Sequence, residues 1–432
     1  MEANHAIAFE ICDKEKCTAC GACLNICSAG AIEFSEDEYG QLHPVVHLDK
    51  CISCGQCVKI CANSRRNMLH KPSHCYAAWT SDKEKRNECA SGGIATLLSE
   101  YVIKERKGVV FGTAYDEIMT PCVTWTDTID GVEKFRGSKY VKSKVGKDVF
   151  RRVRQFLDEG RFVLFVGTPC QISGLLSFLG AERENLLTVD LLCHGVSPIR
   201  YFLDEVDYLK RKHKIDRIGN IRFRGNDDDN SKISFFDRLI GRYNSNNYMF
   251  TIWGNDENGS LRRFYKKDPT RNFYLAAFLK GISLRESCYS CRYASPDRVA
   301  DITLGDFIGL GKAIPFDWPI HNVSAVLTNT SKGVELYSSL VKSNKTVHSI
   351  ERSYEERLQY PYSLVKPFPR HRLNKKFRSL CRKRGYRHAV ASVLRMPLFR
   401  DFIVKHIVHF SRLPVYACCK IREKYMRKNA NR

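Results

Sequence analysis

The sequence predicts a mixed α+β and α/β chain in three parts: a small cysteine-rich unit over 1–70, a mixed-sheet α/β domain over 75–365, and a basic helical tail over 366–432. Three observations predict this. Two cysteine runs of identical spacing open the chain. Short apolar runs ended by turn residues then alternate with segments of helical period. Charge is uneven: Arg370 to Arg432 holds 19 Lys and Arg against only Asp401 and Glu423, whereas the first 369 residues carry 51 against 45 acids. The body is therefore near-ordinary in charge, and the tail is a different physical object.

The first run is Cys17, Cys20, Cys23, Cys27, and the second is Cys51, Cys54, Cys57, Cys61. Each reads C-x2-C-x2-C-x3-C, the spacing by which bacterial-type ferredoxins hold two cubane [4Fe–4S] clusters. A tight loop presents three thiolates to one cube, and the fourth cysteine lies in the following helical turn and reaches the other. Cys17, Cys20, Cys23 and Cys61 are thus assigned to one cluster, and Cys51, Cys54, Cys57 and Cys27 to the second. Zinc sites use two separated C-x2-C pairs, which is not this pattern. Gly21 and Gly55 fill the same slot of the two runs, where the loop wraps the cube. Ser28 and Ala62 stand where a proline usually follows the fourth cysteine, which loosens the loop and removes no ligand. Ala31-Ile-Glu-Phe and Pro44-Val-Val-His-Leu predict short strands, and His70-Lys-Pro-Ser a linker.

Composition bounds the setting. A chain of 432 residues can build two or three domains with a full core. Nineteen cysteines would suggest disulfides in a secreted chain. Met1 to Glu10, however, lacks the basic start and apolar run of a signal peptide. No stretch reaches the ~18 apolar residues of a membrane span. Cluster assembly needs a reducing compartment, so the expected location is cytoplasmic.

In the central part, Gly108-Val-Val-Phe-Gly-Thr, Phe162-Val-Leu-Phe-Val-Gly and Leu186-Leu-Thr-Val-Asp-Leu-Leu read as buried strands. Ile94–Arg106, Ile199–Lys212 and Gly333–Val341 carry helical period between them. After Asp227-Asp-Asp-Asn-Ser the chain turns polar and then β-rich through Trp253. No G-x-G-x-x-G and no P-loop occurs, so dinucleotide and nucleotide-triphosphate binding of those types are unsupported. Cys170 and Cys193 each follow a strand, and Cys288 and Cys291 form a C-x2-C. Spacing leaves two readings open for these four: one thiolate site, or separate cysteines packed as small apolar side chains.

Ser287-Cys-Tyr-Ser-Cys-Arg-Tyr-Ala, followed by Asp301-Ile-Thr-Leu-Gly-Asp-Phe, resembles the beta subunits of coenzyme F-420-reducing hydrogenases and dehydrogenases. So do Ser91-Gly-Gly, Gly137-Ser-Lys-Tyr, Gly167-Thr-Pro-Cys and Leu192-Cys-His-Gly. The resemblance spans about 75–345, and bacterial members of this kind are often associated with exopolysaccharide or cell-envelope gene sets. It implies one FAD and a third [4Fe–4S] cluster on Cys170, Cys193, Cys288 and Cys291. Ser91, Gly92 and Gly93 precede an apolar helix, where a capping serine and open backbone N–H groups suit a phosphate or simply a capped helix. Ser138 and Lys139 are further cofactor candidates, with the Lys139 charge near a flavin ring or pyrophosphate, or merely solvated. His194 is a candidate proton donor, or a hydrogen-bond partner of cluster sulfurs. None of these residues requires F-420 itself.

A flavin beside cubes converts a two-electron reaction into a one-electron wire. The expected function is an oxidoreductase passing electrons between a ferredoxin or similar carrier and an unidentified organic substrate, in exopolysaccharide or cell-envelope biosynthesis. The rivals are a non-catalytic electron-transfer subunit wiring a partner enzyme, and a cluster-bearing sensor or nucleic-acid-binding protein. In the tail, Phe402, Ile403, His406, Ile407 and Phe410 would share one helical face. That reads equally as a helical cap on the main domain, basic on its outer side, and as a helix on an anionic membrane surface, each basic residue there contributing ~1 kcal/mol. A nucleic-acid contact is the further alternative. A peripheral place at the inner face of the cell membrane follows from the membrane reading, and Cys418-Cys419 are acylation candidates. Cys12, Cys75, Cys89, Cys122 and Cys381 have no role at this level.

Overall fold

The computed structural model describes residues 10–65, 67–224, 248–256, 258–318 and 322–399. In the N-terminal unit, α1 (Ala22–Ile26) and α2 (Gln56–Lys59) each start from a left-handed glycine, Gly21 at φ 90° and Gly55 at φ 67°. The sequence repeat is thus a repeat of one loop-to-helix turn. Between the two helices, β1 (Ile32–Glu36) and β2 (Leu42–Val46) pair antiparallel.

The elements that follow are β3 (His74–Thr80), α3 (Lys83–Glu88), α4 (Ile94–Arg106), β4 (Val109–Tyr115), β5 (Pro121–Thr126), α5 (Ile129–Glu133), α6 (Val149–Asp158), β6 (Val163–Gly167), α7 (Pro169–Leu179), β7 (Leu186–Leu191), α8 (Ile199–Lys212), β8 (Arg217–Arg224), β9 (Tyr248–Asn255), β10 (Leu261–Lys267), α9 (Phe273–Leu279), β11 (Ile302–Asp306), β12 (Ser324–Thr328), α10 (Ser331–Ser343), β13 (Val347–Arg352) and α11 (Tyr354–Leu358). Eight strands form one sheet in the order β13-β3-β12-β11-β7-β6-β4-β5. Neighbours among β4, β6, β7 and β11 run parallel, and the outer pairings are antiparallel.

Strand side chains alternate between faces, and both faces are covered. Val109, Phe111, Val163 and Phe165 pack with α6 and α7 on one side. Val110, Leu164, Leu187 and Val189 pack with α4 and α10 on the other. That is why these strands read as continuous apolar runs. Burying each such side chain stabilises by roughly 1.5–3 kcal/mol.

A third core lies beyond α8. The antiparallel strands β8, β9 and β10 pack with α8, α9 and a helical stretch over 374–399. Phe377, Tyr386, Val390 and Leu394 are buried there, and Tyr386 stacks on Tyr201 at 4.8 Å. This part of the expected tail is a helical cap. The amphipathic segment with Phe402, Ile403, His406, Ile407 and Phe410, and Cys418-Cys419, lie outside the described residues. No helix among the described residues is long and apolar enough to cross a membrane.

The expected linker is pinned: His70 and Arg298 exchange backbone hydrogen bonds at 2.7 and 2.8 Å. The N-terminal unit is seated on the central domain through Arg285. Its Nε donates to the Cys17 carbonyl at 2.8 Å and its Nη2 to the Leu42 carbonyl at 2.7 Å.

Candidate iron–sulfur site

In the N-terminal unit, the cysteines within electrostatic reach of one another fall into two sets. Burial pushes the Cys23 thiol up, and the charges of Cys20, Cys17 and Cys61 add to it. Burial raises Cys57, with smaller contributions from Cys27 and Cys54. The first set holds Cys17, Cys20, Cys23 and Cys61, and the second Cys27, Cys54 and Cys57. Cys61 of the second run thus lies with the first set, and Cys27 of the first run with the second. Cys54 is exposed and Cys51 half-buried, so the second set faces solvent while the first lies against the central domain.

The sequence gives no signal for Cys12. Its thiol interacts with those of Cys17 and Cys61, which raises its own pKa and lowers theirs. Asn63 Nδ2 approaches it at 3.8 Å. Only its position five residues before the first run could have suggested a part in the cluster surroundings.

Cys170, Cys193, Cys288 and Cys291 line a single cavity of about 40 Å³. They come from three separate segments. Thr168 caps α7, with its backbone N–H bound to Gln171 Oε1 at 3.0 Å, and so places Cys170 in the first helical turn beyond β6. Cys193 lies just past β7. The Ser287-Cys-Tyr-Ser-Cys-Arg stretch brings Cys288 and Cys291 across. Burial pushes Cys288 up to about 12, with Cys291 and Cys170 adding like charge. Cys193 is raised by burial and then by Cys288, Cys170 and Cys291.

The first N-terminal set and this quartet meet at Cys20. Burial pushes the Cys20 thiol up to about 12, and Cys170 is among the charges acting on it. Helix α7 comes close because residue 174 is glycine: a Cβ there would stand 2.9 Å from both Cβ and Sγ of Cys20. Among the described residues no three His, Cys, Asp or Glu side chains gather as ligands of one ion do. A cube instead spreads its thiolates over separate irons.

The flavin candidates occupy a different place. Arg136 pairs with Glu88, and a Cβ at Gly137 would lie 3.9 Å from the Glu88 carbonyl, so the 88–93 and 136–139 segments are neighbours. The expectation that Ser91 caps the next helix is corrected. The N-cap of α4 is Gly93 at φ 86°, with no side-chain cap bond. The turn starts two residues later than the serine needs. The Ser91 hydroxyl is instead buried without a partner. The Gly92 N–H donates to Ser324 Oγ at 2.9 Å. Ser138 is half-buried in the same segment. The Lys139 ammonium donates to the carbonyls of Lys134, Phe135, Arg136 and Gly137 at 3.1–3.3 Å, closing the end of α5. Burial pushes it down to about 7, aided by the Arg222 charge.

His194 lines the cysteine cavity, away from Lys139 and Ser91. Its ring centroid lies 4.9 Å from that of Phe278 and 4.0 Å from that of Phe368, and Nε2 sits 3.1 Å from the Phe278 carbonyl. That carbonyl only accepts, so the tautomer is assigned with the proton on Nε2. Burial pushes the imidazole down to about 4. The ring is thus held in the cavity wall by that carbonyl and by two aromatic rings, next to Cys193.

Comparisons with known proteins match two stretches of the chain. Residues 16–64 match the 4Fe-4S dicluster domain. Residues 160–352 match the carboxy-terminal region of the coenzyme F420 hydrogenase/dehydrogenase beta subunit. No curated protein matches the chain. Among solved structures, a chain of the F420-reducing [NiFe] hydrogenase complex from Methanosarcina barkeri, studied by xenon derivatization, is similar at 19% identity and a TM-score of 0.40; the match covers 75% of this chain and 92% of that one. This protein thus joins a stretch that matches the 4Fe–4S dicluster domain to one that matches the carboxy-terminal region of the coenzyme F420 hydrogenase/dehydrogenase beta subunit.

Proposed function

We propose that this chain is an iron–sulfur flavoprotein oxidoreductase, passing electrons between a ferredoxin-like carrier and an organic substrate. Cys170, Cys193, Cys288 and Cys291 would hold a third [4Fe–4S] cluster. The observation that carries the reading is the convergence of these four cysteines on one cavity beside Cys20. Cysteines that serve only as small apolar side chains have no reason to meet. Sites of α/β sheets form beyond the carboxyl ends of parallel strands, which is where Cys170 and Cys193 stand. The first turn of α7 also favours negative charge.

FAD fits the Ser91 corner. The unpartnered Ser91 hydroxyl and the uncapped first turn of α4 are donors that a phosphate oxygen would satisfy. When bound, a flavin exchanges single electrons with a cube and pairs of electrons with an organic molecule. The chain's own part is spacing and burial. Arg285 holds the Cys17 loop against the Cys288 segment, and the Phe368 ring, packed on His194, covers one wall of the cavity. We place the substrate in envelope-glycan biosynthesis, on the resemblance of the glycine and cysteine motifs to bacterial members of the family. The working compartment is the cytoplasm, where clusters are assembled.

Cys193→Ser tests the third cluster. It should lower iron by about four per chain and leave the N-terminal clusters' spectra in place. Unchanged iron would sink the assignment. A second reading, an electron-transfer subunit with no substrate site of its own, is favoured by Leu48 and Ile52. These are 46% and 66% exposed on the loop that carries the exposed Cys54, an apolar face suited to a partner. Stable co-purification with a catalytic protein, without turnover by the chain alone, would decide for it.

A further inference from the structure

Buried cations are rare unless something offsets their charge. Lys142 is 4% exposed and lines the same cavity as Cys170, Cys193, Cys288 and Cys291. Its backbone N–H is held by the Ser197 carbonyl at 2.9 Å. Among the described residues its ammonium has no carboxylate and no hydrogen-bond acceptor. The contrast within this protein is sharp: the buried Arg298 has Asp190 at 3.1 Å, and the buried Arg224 has Asp306 at 2.6 Å. Arg285, 3% exposed, also lines the cavity, and among the described residues its guanidinium donates to neutral carbonyls, with no carboxylate. Two cations therefore border four cysteines with no acidic side chain among the lining residues.

We propose that Lys142 is the charge partner of the third cluster: its ammonium offsets the net negative charge of a cube held by four thiolates and thereby raises the cluster's reduction potential. The inference rests on the third-cluster reading. Reduction adds one negative charge to the cube, so a cation in the same poorly solvated cavity stabilises the reduced form more than the oxidised one. Arg285 contributes in the same sense but also fastens the Cys17 loop, so its removal would disturb structure. Lys142 makes no such side-chain bond and is the cleaner probe. It acts through the cluster and is a positioning residue in electrostatic terms. The sequence offers no hint, because Lys142 is one of 70 basic residues and only its burial sets it apart.

The test uses the full chain, purified anaerobically, as wild type, Lys142→Met and Lys142→Arg. Reduction is titrated and followed by electron paramagnetic resonance, and the third cluster is identified as the signal absent from Cys193→Ser. Lys142→Met should keep its iron and shift that cluster's reduction equilibrium about tenfold toward the oxidised form, about 59 mV for one electron. Lys142→Arg should restore the wild-type value, and the signals of the other two clusters should stay in place. An unmoved potential in a fully loaded Lys142→Met protein would overturn the inference and leave the third cluster standing. Should Lys142→Met lose about four iron, recovery of that iron in Lys142→Arg supports the charge role, and failure to recover it shows a packing role instead. About eight iron in the wild type would remove the third-cluster reading itself, a result distinct from both.

Discussion

Replacing Gly174 with alanine places one methyl group at the junction between the N-terminal unit and the central domain. In an exposed helix interior this change stabilises by about 1 kcal/mol, because alanine is the better helix former. Here the new Cβ would stand 2.9 Å from both Cβ and Sγ of Cys20. That separation is shorter than two non-bonded carbons accept. The neighbour is not a free side-chain end, since Cys20 sits on a short loop that Arg285 fastens through the Cys17 carbonyl. Overpacking of this kind costs about 1–3 kcal/mol, so the net change is a loss of up to about 2 kcal/mol. Anaerobic urea unfolding of the holoprotein, followed by cluster absorbance, reads this difference. A parallel measurement of electron flow from the N-terminal clusters to the flavin should show slowing, as the two cysteine groups are pushed apart. A Gly174→Ala protein about 1 kcal/mol more stable than wild type would refute the contact between α7 and Cys20, and with it the proposed passage of electrons from the N-terminal unit toward the Cys170 cavity.

Two further perturbations separate structure from chemistry. Arg298→Met would leave Asp190 fully buried without its 3.1 Å partner and should cost about 3–5 kcal/mol in unfolding free energy; a change under about 1 kcal/mol would contradict the burial of the pair. Glu286 accepts from both Arg370 and Arg378 at the start of the tail. Burial alone would raise its carboxyl, but the Arg370 hydrogen bond and the two guanidinium charges prevail and hold it below the usual range. A depressed folded-state pKa contributes stability that is present above the unfolded value of about 4.3 and is lost as pH falls through the folded value. Arg370→Ala with Arg378→Ala should therefore flatten the acid side of the stability profile. At neutral pH it should cost about 0.5–1 kcal/mol, less in high salt; an unchanged acid limb would contradict the pairing.

The parts legible in the sequence were those in which one local pattern fixes the outcome. The C-x2-C-x2-C-x3-C runs name their own cofactor because a short loop must present three thiolates at once. Ile94–Arg106 and Ile199–Lys212 are helices with the expected bounds, since their apolar period has no competitor. Val163–Gly167 and Leu186–Leu191 are strands buried on both faces, as their unbroken apolar character implies. What stayed hidden depends on residues far apart in the chain. For Cys170 and Cys288, more than a hundred residues apart, spacing left a shared site and separate packing both open, and the sheet order is what brings them to one cavity. Cys12 acts through Cys17 and Cys61, and no spacing rule marks it. Ser91 is displaced from its expected cap because Gly93, free to adopt φ 86°, starts the helix instead. Net charge disguised the tail: Phe377, Tyr386 and Leu394 bury one face of 374–399, while its arginines reach acids on the body of the protein, including Glu286, Glu38 and Glu205.

The central claim is that this chain wires a flavin to three cubes, and the most direct test is the iron, acid-labile sulfide and flavin content of anaerobically purified protein. The account predicts about twelve iron, about twelve sulfide and about one FAD per chain. About eight iron with no flavin would contradict it, and would leave the cavity of Cys170, Cys193, Cys288 and Cys291 as packing in a domain that carries no cofactor.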